Sequence, residues 1–142
     1  MNFIWDFEAI LSKEGKEDGP HPLLRDILRD YPGKHILFFN EGHEDVFPWL
    51  EKHKLRHYFG SHVYCIVDMI SFLDRMGPLL NGDKNYLIVS SPRHLIRSPQ
   101  VSLVVVNPCP RKDHHFVKEG EPMLVIRDLK SIDLLLEIDM FR

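Results

Sequence analysis

The feature that most constrains this chain is a series of short, uninterrupted apolar runs. They are Phe3-Ile4-Trp5, His35-Ile36-Leu37-Phe38-Phe39, His62-Val63-Tyr64-Cys65-Ile66-Val67, Asn85-Tyr86-Leu87-Ile88-Val89 and Val101-Ser102-Leu103-Val104-Val105-Val106. Each is too short for a buried helix and rich in β-branched or aromatic residues, so each reads as a strand covered on both faces. Between the runs, apolar residues recur at helical spacing: Leu23, Leu24, Ile27 and Leu28; then Val46, Phe47, Leu50 and Leu55; then Ile70, Phe72, Leu73 and Met76. Strands that alternate with helices in this way predict an α/β fold, with a mainly parallel sheet and helices on both faces.

Turn and cap residues set the expected boundaries. Pro22 suits a first helical turn, and Tyr31-Pro32-Gly33 stops that helix. Asn40-Glu41-Gly42 ends the second strand, and Glu44, Asp45 and Pro48 suit the start of the next helix. A helix is expected from Asp68 to Met76, with Gly77-Pro78 and Asn81-Gly82-Asp83 as turns beyond it. Further along, Arg93 to Ile96 reads as a short helix, Met123 to Ile126 as a last strand, and Asp128 as the cap of a final helix bearing Leu129, Ile132, Leu135 and Leu136. Ser12 to Pro20 and Arg111 to Glu121 read as surface loops. The 142 residues suit one domain, spanning 1–142, which at this size buries roughly 68–70% of the surface its unfolded chain exposes.

Composition removes several classes of function. A hydrophobic fraction of 44% argues against disorder, and a net charge of −3 supplies no general basic field for nucleic acid or anionic membrane. No stretch reaches the roughly 18 apolar residues needed to cross a bilayer, and the N-terminus lacks the basic start and long apolar core of a signal peptide. Cys65 and Cys109 lie far apart and form no CxxC pair, so both are expected as reduced thiols in a cytoplasmic protein.

The chemistry-bearing residues cluster at the expected strand ends. Phe3-Ile4-Trp5 delivers a carboxylate at Asp6, and Glu8 follows two residues later, so a buried strand ends in two acids that need a cation, a proton or a donor. Asn40, Ser90 and Ser91 end two other strands and would face the same crevice, where they could donate to a phosphate. His53 and His57 are four apart, the spacing of two metal ligands on a helix, but no third ligand is signalled and a solvated face is expected. Trp5, Trp49, Phe38 and Phe39 lie in apolar runs and read as core rather than as a platform for bases. Arg93, His94 and Arg97, and the His114-His115 pair, offer weaker anion contacts.

The order of these motifs resembles the haloacid dehalogenase-like phosphatase superfamily, in a minimal form without a cap domain. Asp6-Phe7-Glu8-Ala9-Ile10 stands where that family has Asp-x-Asp-x-Thr, and Phe38-Phe39-Asn40-Glu41-Gly42 stands where an apolar strand ends in Thr or Ser. Trp49 to Phe59 resembles the helix and closing Tyr-Phe, Tyr86 to Ser91 the strand before the fourth motif, and Pro122 to Leu136 the final strand and helix. The resemblance implies a three-layer, Rossmann-like sheet. It makes Asp6 the nucleophile, Glu8 the acid–base group and Asp6 a ligand of Mg²⁺.

The departures are chemical. Glu8 sets its carboxyl one methylene further out, Phe39 replaces the phosphate-holding hydroxyl, and Ser91 replaces a metal-binding Asp. Asp68 stands near the place of the family's phosphoryl-neutralising cation, leaving only Arg75 and Lys84 as later cations. Loss of metal charge, hydroxyl and cation together removes most of the electrostatic stabilisation of phosphoryl transfer. The expectation is therefore a degenerate site with no cofactor, serving as a binding or interaction module for a protein partner or a small phosphorylated ligand. The alternatives are a Mg²⁺-dependent phosphatase or phosphotransferase using Asp6, and a homo-oligomeric structural protein.

Overall fold

The structure is a computed structural model, and it describes residues 2–11, 19–31, 33–42, 45–80 and 84–89, together with the backbone of two further strands at 103–106 and 123–125. The strands are β1 (Asn2–Asp6), β2 (Lys34–Asn40), β3 (Val63–Ile66), β4 (Asn85–Val89), β5 (Leu103–Val106) and β6 (Met123–Val125). The helices are α1 (Leu24–Asp30), α2 (Val46–Lys52), α3 (Arg56–Phe59) and α4 (Met69–Leu80), and a 3-10 turn covers Phe7–Ile10. All five strand pairings are parallel, in the order β3-β2-β1-β4-β5-β6. The apolar runs thus form the parallel sheet expected of them.

Strand alternation divides the described core in two. Phe3, Trp5, Leu37, Phe39, Tyr86 and Ile88 share one cluster with Leu24, Ile27 and Leu28 of α1, Val46, Trp49 and Leu50 of α2, and Phe59 of α3. Ile4, Ile36, Phe38, Ile66, Leu87 and Val89 share the other with Met69, Phe72, Leu73 and Leu80 of α4. Topology requires this division. The chain steps from β1 to β2 to β3 in one direction, and α1, α2 and α3 cover that path on one face. It must then return past β2 and β1 to reach β4, and a right-handed crossover in the reverse direction passes over the other face, where α4 lies.

Several local expectations change. α4 continues through Gly77 and Pro78 to Leu80, where a turn was expected. The N–H that proline lacks would have bonded the carbonyl of Asp74, and both residues lie on the solvent side, where water can take that carbonyl, while Gly77 and Leu80 are buried. Phe47 and Ile70, both assigned to inner helix faces by spacing, are 38% and 55% exposed. Leu55 is buried but lies between α2 and α3, and the chain leaves α3 through Gly60 at φ 59°, a conformation that favours glycine. Only the end of the Ser12–Pro20 loop is described: Pro20 bridges Leu11, and the His21 N–H bonds Ile10 O at 2.8 Å. The expected helices at 93–96 and from Asp128, the 111–121 loop with His114 and His115, and Cys109 lie outside the described residues. Among the described residues, no helix is long and apolar enough to cross a membrane.

Candidate functional site

The sheet order places a topological switch point between β1 and β4, because β1 is joined to β2 on one side and to β4 on the other. In open parallel sheets the crevice at such a point, outside the carboxyl ends of the strands, is where ligands bind. Asp6 ends β1 at that position. Its neighbours Ile4 and Trp5 are fully buried, and the Asp6 side chain itself is only 1% exposed.

A buried carboxylate needs donors, and the chain supplies one locally. Asp6 has extended backbone angles, and its Oδ1 accepts the Glu8 N–H at 3.2 Å, so it caps the 3-10 turn that carries Glu8. Glu8 itself is half-buried. Asp6 shares the parity of Ile4 and so lies toward the α4 face of the sheet. Asn40 shares that parity on β2, where Asp6 is in register with Phe38, and lies two residues, roughly 6.6 Å of strand rise, beyond that level. Asp6 and Asn40 therefore share one face and one edge.

Phe39 does not join them. It belongs to the opposite face, 7% exposed, with its ring edge-on to Phe47 at 5.9 Å. The Arg56 guanidinium sits over the Phe47 ring, 4.7 Å from its centroid. Phe39 is thus committed to aromatic packing. Ser90 and Ser91, the other expected phosphate donors, lie outside the described residues, as do Arg93, His94 and Arg97.

The expected cations are not brought to this edge. Lys84 precedes β4, and its carbonyl accepts the Asn2 N–H at 2.8 Å, which places it at the amino end of the sheet. Arg75 is exposed on the solvent side of α4, whose inner face carries Phe72 and Leu73. Asp68 is the N-cap of α4, its Oδ2 accepting from Ser71 N–H at 3.1 Å and from Ser71 Oγ at 2.7 Å. Those two bonds hold its carboxyl below the ordinary carboxylate value.

The described residues do not assemble a site for a divalent metal. Among the described residues no group of three or more His, Cys, Asp or Glu side chains could hold a metal ion. Mg²⁺ prefers octahedral oxygen ligation with one or more carboxylates, and one oxygen of the Asp6 carboxylate, Oδ1, accepts a backbone N–H. His53 and His57 also fail as a pair, because His53 ends α2 and lies on Trp49, 4.7 Å between ring centroids, whereas His57 is in α3 against Tyr58 at 4.0 Å. Trp5, Trp49, Phe38 and Phe39 are all buried, as core packing predicts.

Two buried histidines carried no signal in the sequence. His21, 6% exposed, accepts the Leu23 N–H at 3.1 Å and helps return the chain from Leu11 to α1. His35, 5% exposed, lies at the far end of the sheet, in register with Phe3 and stacked on it at 5.0 Å. A histidine inside an apolar run looks the same in sequence whether it is a ligand or a packed core residue. Comparison of the chain with protein-family models, with curated proteins and with solved structures returns no match.

Proposed function

We propose that this chain is a three-layer, haloacid dehalogenase-like domain whose phosphatase apparatus has eroded, and that it acts as a binding module at the carboxyl edge of its sheet. The observation that carries the reading is the position of Asp6, a buried acid ending the central strand at the switch point while its carboxylate caps its own turn. The order of the motifs supports the family assignment. Phe39 packed on Phe47, Lys84 at the opposite edge and Arg75 facing solvent support the loss of turnover, because none of them supplies the charge stabilisation that phosphoryl transfer needs. Asn40, with Ser90 and Ser91, is the donor set proposed to meet a small phosphorylated ligand.

The competing reading is a Mg²⁺-dependent phosphotransferase with Asp6 as nucleophile and Glu8 as acid–base group, and it draws on the same position of Asp6. Release of phosphate from a panel of phosphomonoesters, with and without Mg²⁺, separates the two. The expected result is no Mg²⁺-dependent turnover by either the wild-type chain or Asp6→Asn. Robust turnover that Asp6→Asn abolishes would overturn the proposal. Binding is tested separately by titrating inorganic phosphate into the wild-type chain and into Asn40→Ala, with weaker binding expected in the variant.

A further inference from the structure

The loop that joins α2 to α3 carries a charge opposite to that of the chain as a whole. From Glu51 to His57 the sequence is Glu-Lys-His-Lys-Leu-Arg-His, so one acid is outnumbered by Lys52, Lys54 and Arg56. Arg25 of α1 joins them, its Nη2 donating to the His53 carbonyl at 2.6 Å. Lys52, Lys54 and Arg25 are exposed and Arg56 is half-buried, and among the described residues none of the four makes an ion pair. The chain carries −3 in total, so these four cations leave −7 on the remainder.

The backbone keeps one of these cations against conformational preference. At the end of α2 the Leu55 N–H bonds Leu50 O at 2.9 Å and the Lys54 N–H bonds Glu51 O at 3.2 Å. Those are the paired bonds of a helix stop whose turning residue is left-handed and usually glycine. Lys54 is that residue, at φ 56°, and among the described residues it is the one non-glycine with positive φ. A Cβ in that conformation costs energy that glycine avoids. Strain kept at an exposed, charged side chain points to a use for that side chain. Arg56 is held in place as well. Its guanidinium lies 4.7 Å over the Phe47 ring and its Nε donates to Gly60 O at 3.2 Å, which leaves both terminal nitrogens to donate.

We propose that this loop, with Arg25, is a docking surface for an acidic segment of a protein partner. Carboxylates of the segment meet Arg56, Lys52 and Lys54, and an apolar side chain beside them rests on Phe47, which is 38% exposed. A guanidinium laid flat on a ring offers its planar donors to a carboxylate with little further loss of freedom. A nucleic acid suits the surface less. Its continuous backbone charge would run past four cations onto a remainder at −7, whereas a short acidic segment ends where the patch ends. The helices that flank the loop cover the α1 side of the sheet, whereas Asp6 and Asn40 lie toward α4, so this surface is independent of binding at the carboxyl edge.

The test is fluorescence anisotropy of the full chain with a labelled peptide rich in glutamate and containing phenylalanine. Binding should weaken as salt rises, and the same peptide with glutamine for glutamate, or an oligothymidylate of equal charge, should bind about tenfold more weakly. Lys52→Glu combined with Lys54→Glu should weaken the peptide about tenfold, and Arg56→Lys, which keeps the charge and loses the planar fork, about threefold. Lys54→Gly separates binding from folding. It should raise the urea midpoint, because glycine takes the left-handed conformation without strain, and weaken the peptide about threefold. Far-UV circular dichroism confirms that each variant is folded. Absence of peptide binding, tighter binding of the oligonucleotide, or a peptide affinity unchanged by both the double charge reversal and Lys54→Gly would overturn the proposal.

Discussion

His35 is held neutral from both sides of its ring. The Trp5 indole can only donate, and its Nε1 lies 3.1 Å from His35 Nδ1, so that nitrogen accepts and carries no proton. Nε2 lies 3.1 Å from the Tyr31 carbonyl, which makes it the donor and selects one tautomer. Burial lowers the pKa of His35 below the ordinary histidine value, and the bond to Tyr31 O opposes that shift in part. Protonation would set two donors against each other at Nδ1. Because the folded pKa lies below the unfolded one, the contribution of His35 to stability is complete above the unfolded value near 6.5. It declines as pH falls below that value and levels off below the folded pKa. Urea unfolding between pH 7.5 and 5.5 should therefore show a loss of stability that is smaller in His35→Phe, which at pH 7.5 should itself cost about 1–3 kcal/mol for the lost bond to the buried Trp5 N–H. An unchanged pH dependence in the variant would rule this account out. Asp6 was legible in the sequence because an acid ending an apolar run is conspicuous; His35 was not, because its partners Trp5 and Tyr31 come from β1 and the end of α1.

At the scale of elements, α4 and β4 are tied together by one side chain. Asn85 donates through Nδ2 to Leu80 O, the end of α4, at 3.1 Å, and accepts through Oδ1 from Asn2 at the start of β1 at 2.9 Å. Both asparagines are buried. One amide thus closes the last turn of α4 and aligns β1 with β4, whose register pairs Asn2 with Asn85. Asn85→Ala should orphan the Leu80 carbonyl and the Asn2 amide together, and a loss of about 2–4 kcal/mol in chemical denaturation is expected at roughly 1–3 kcal/mol per buried group. A loss below about 0.5 kcal/mol would mean that water replaces the amide. This link also accounts for the misplaced end of α4. Gly77-Pro78 is a strong local stop signal, and it is overridden by the burial of Leu80 and the bond from Asn85, neither of which is visible within the segment.

For the whole molecule, strands β1 to β4 lie between two apolar clusters, and Trp5 and Trp49, the two tryptophans of the chain, both belong to the cluster with α1, α2 and α3. Phe72 lies on the other face, 1% exposed and 5.8 Å from Phe38. Phe72→Ala should cost about 3–5 kcal/mol, and if the faces unfold together, tryptophan fluorescence should report that loss at the same midpoint as circular dichroism. Separate midpoints would show the two faces to be independent units. The existence of six strands, their parallel arrangement and the carboxylate at the end of β1 were determined by the sequence itself, since apolar runs separated by helical periods leave few other ways to bury both faces of each strand. Strand order, the side of the sheet each helix covers, the placement of Lys84 at the wrong edge for Asp6 and the exposure of Cys65 were decided only by the tertiary structure. The physical reason is that a run buried on both faces has no period by which to name its neighbours, so its pairing is set by crossover handedness and long-range packing.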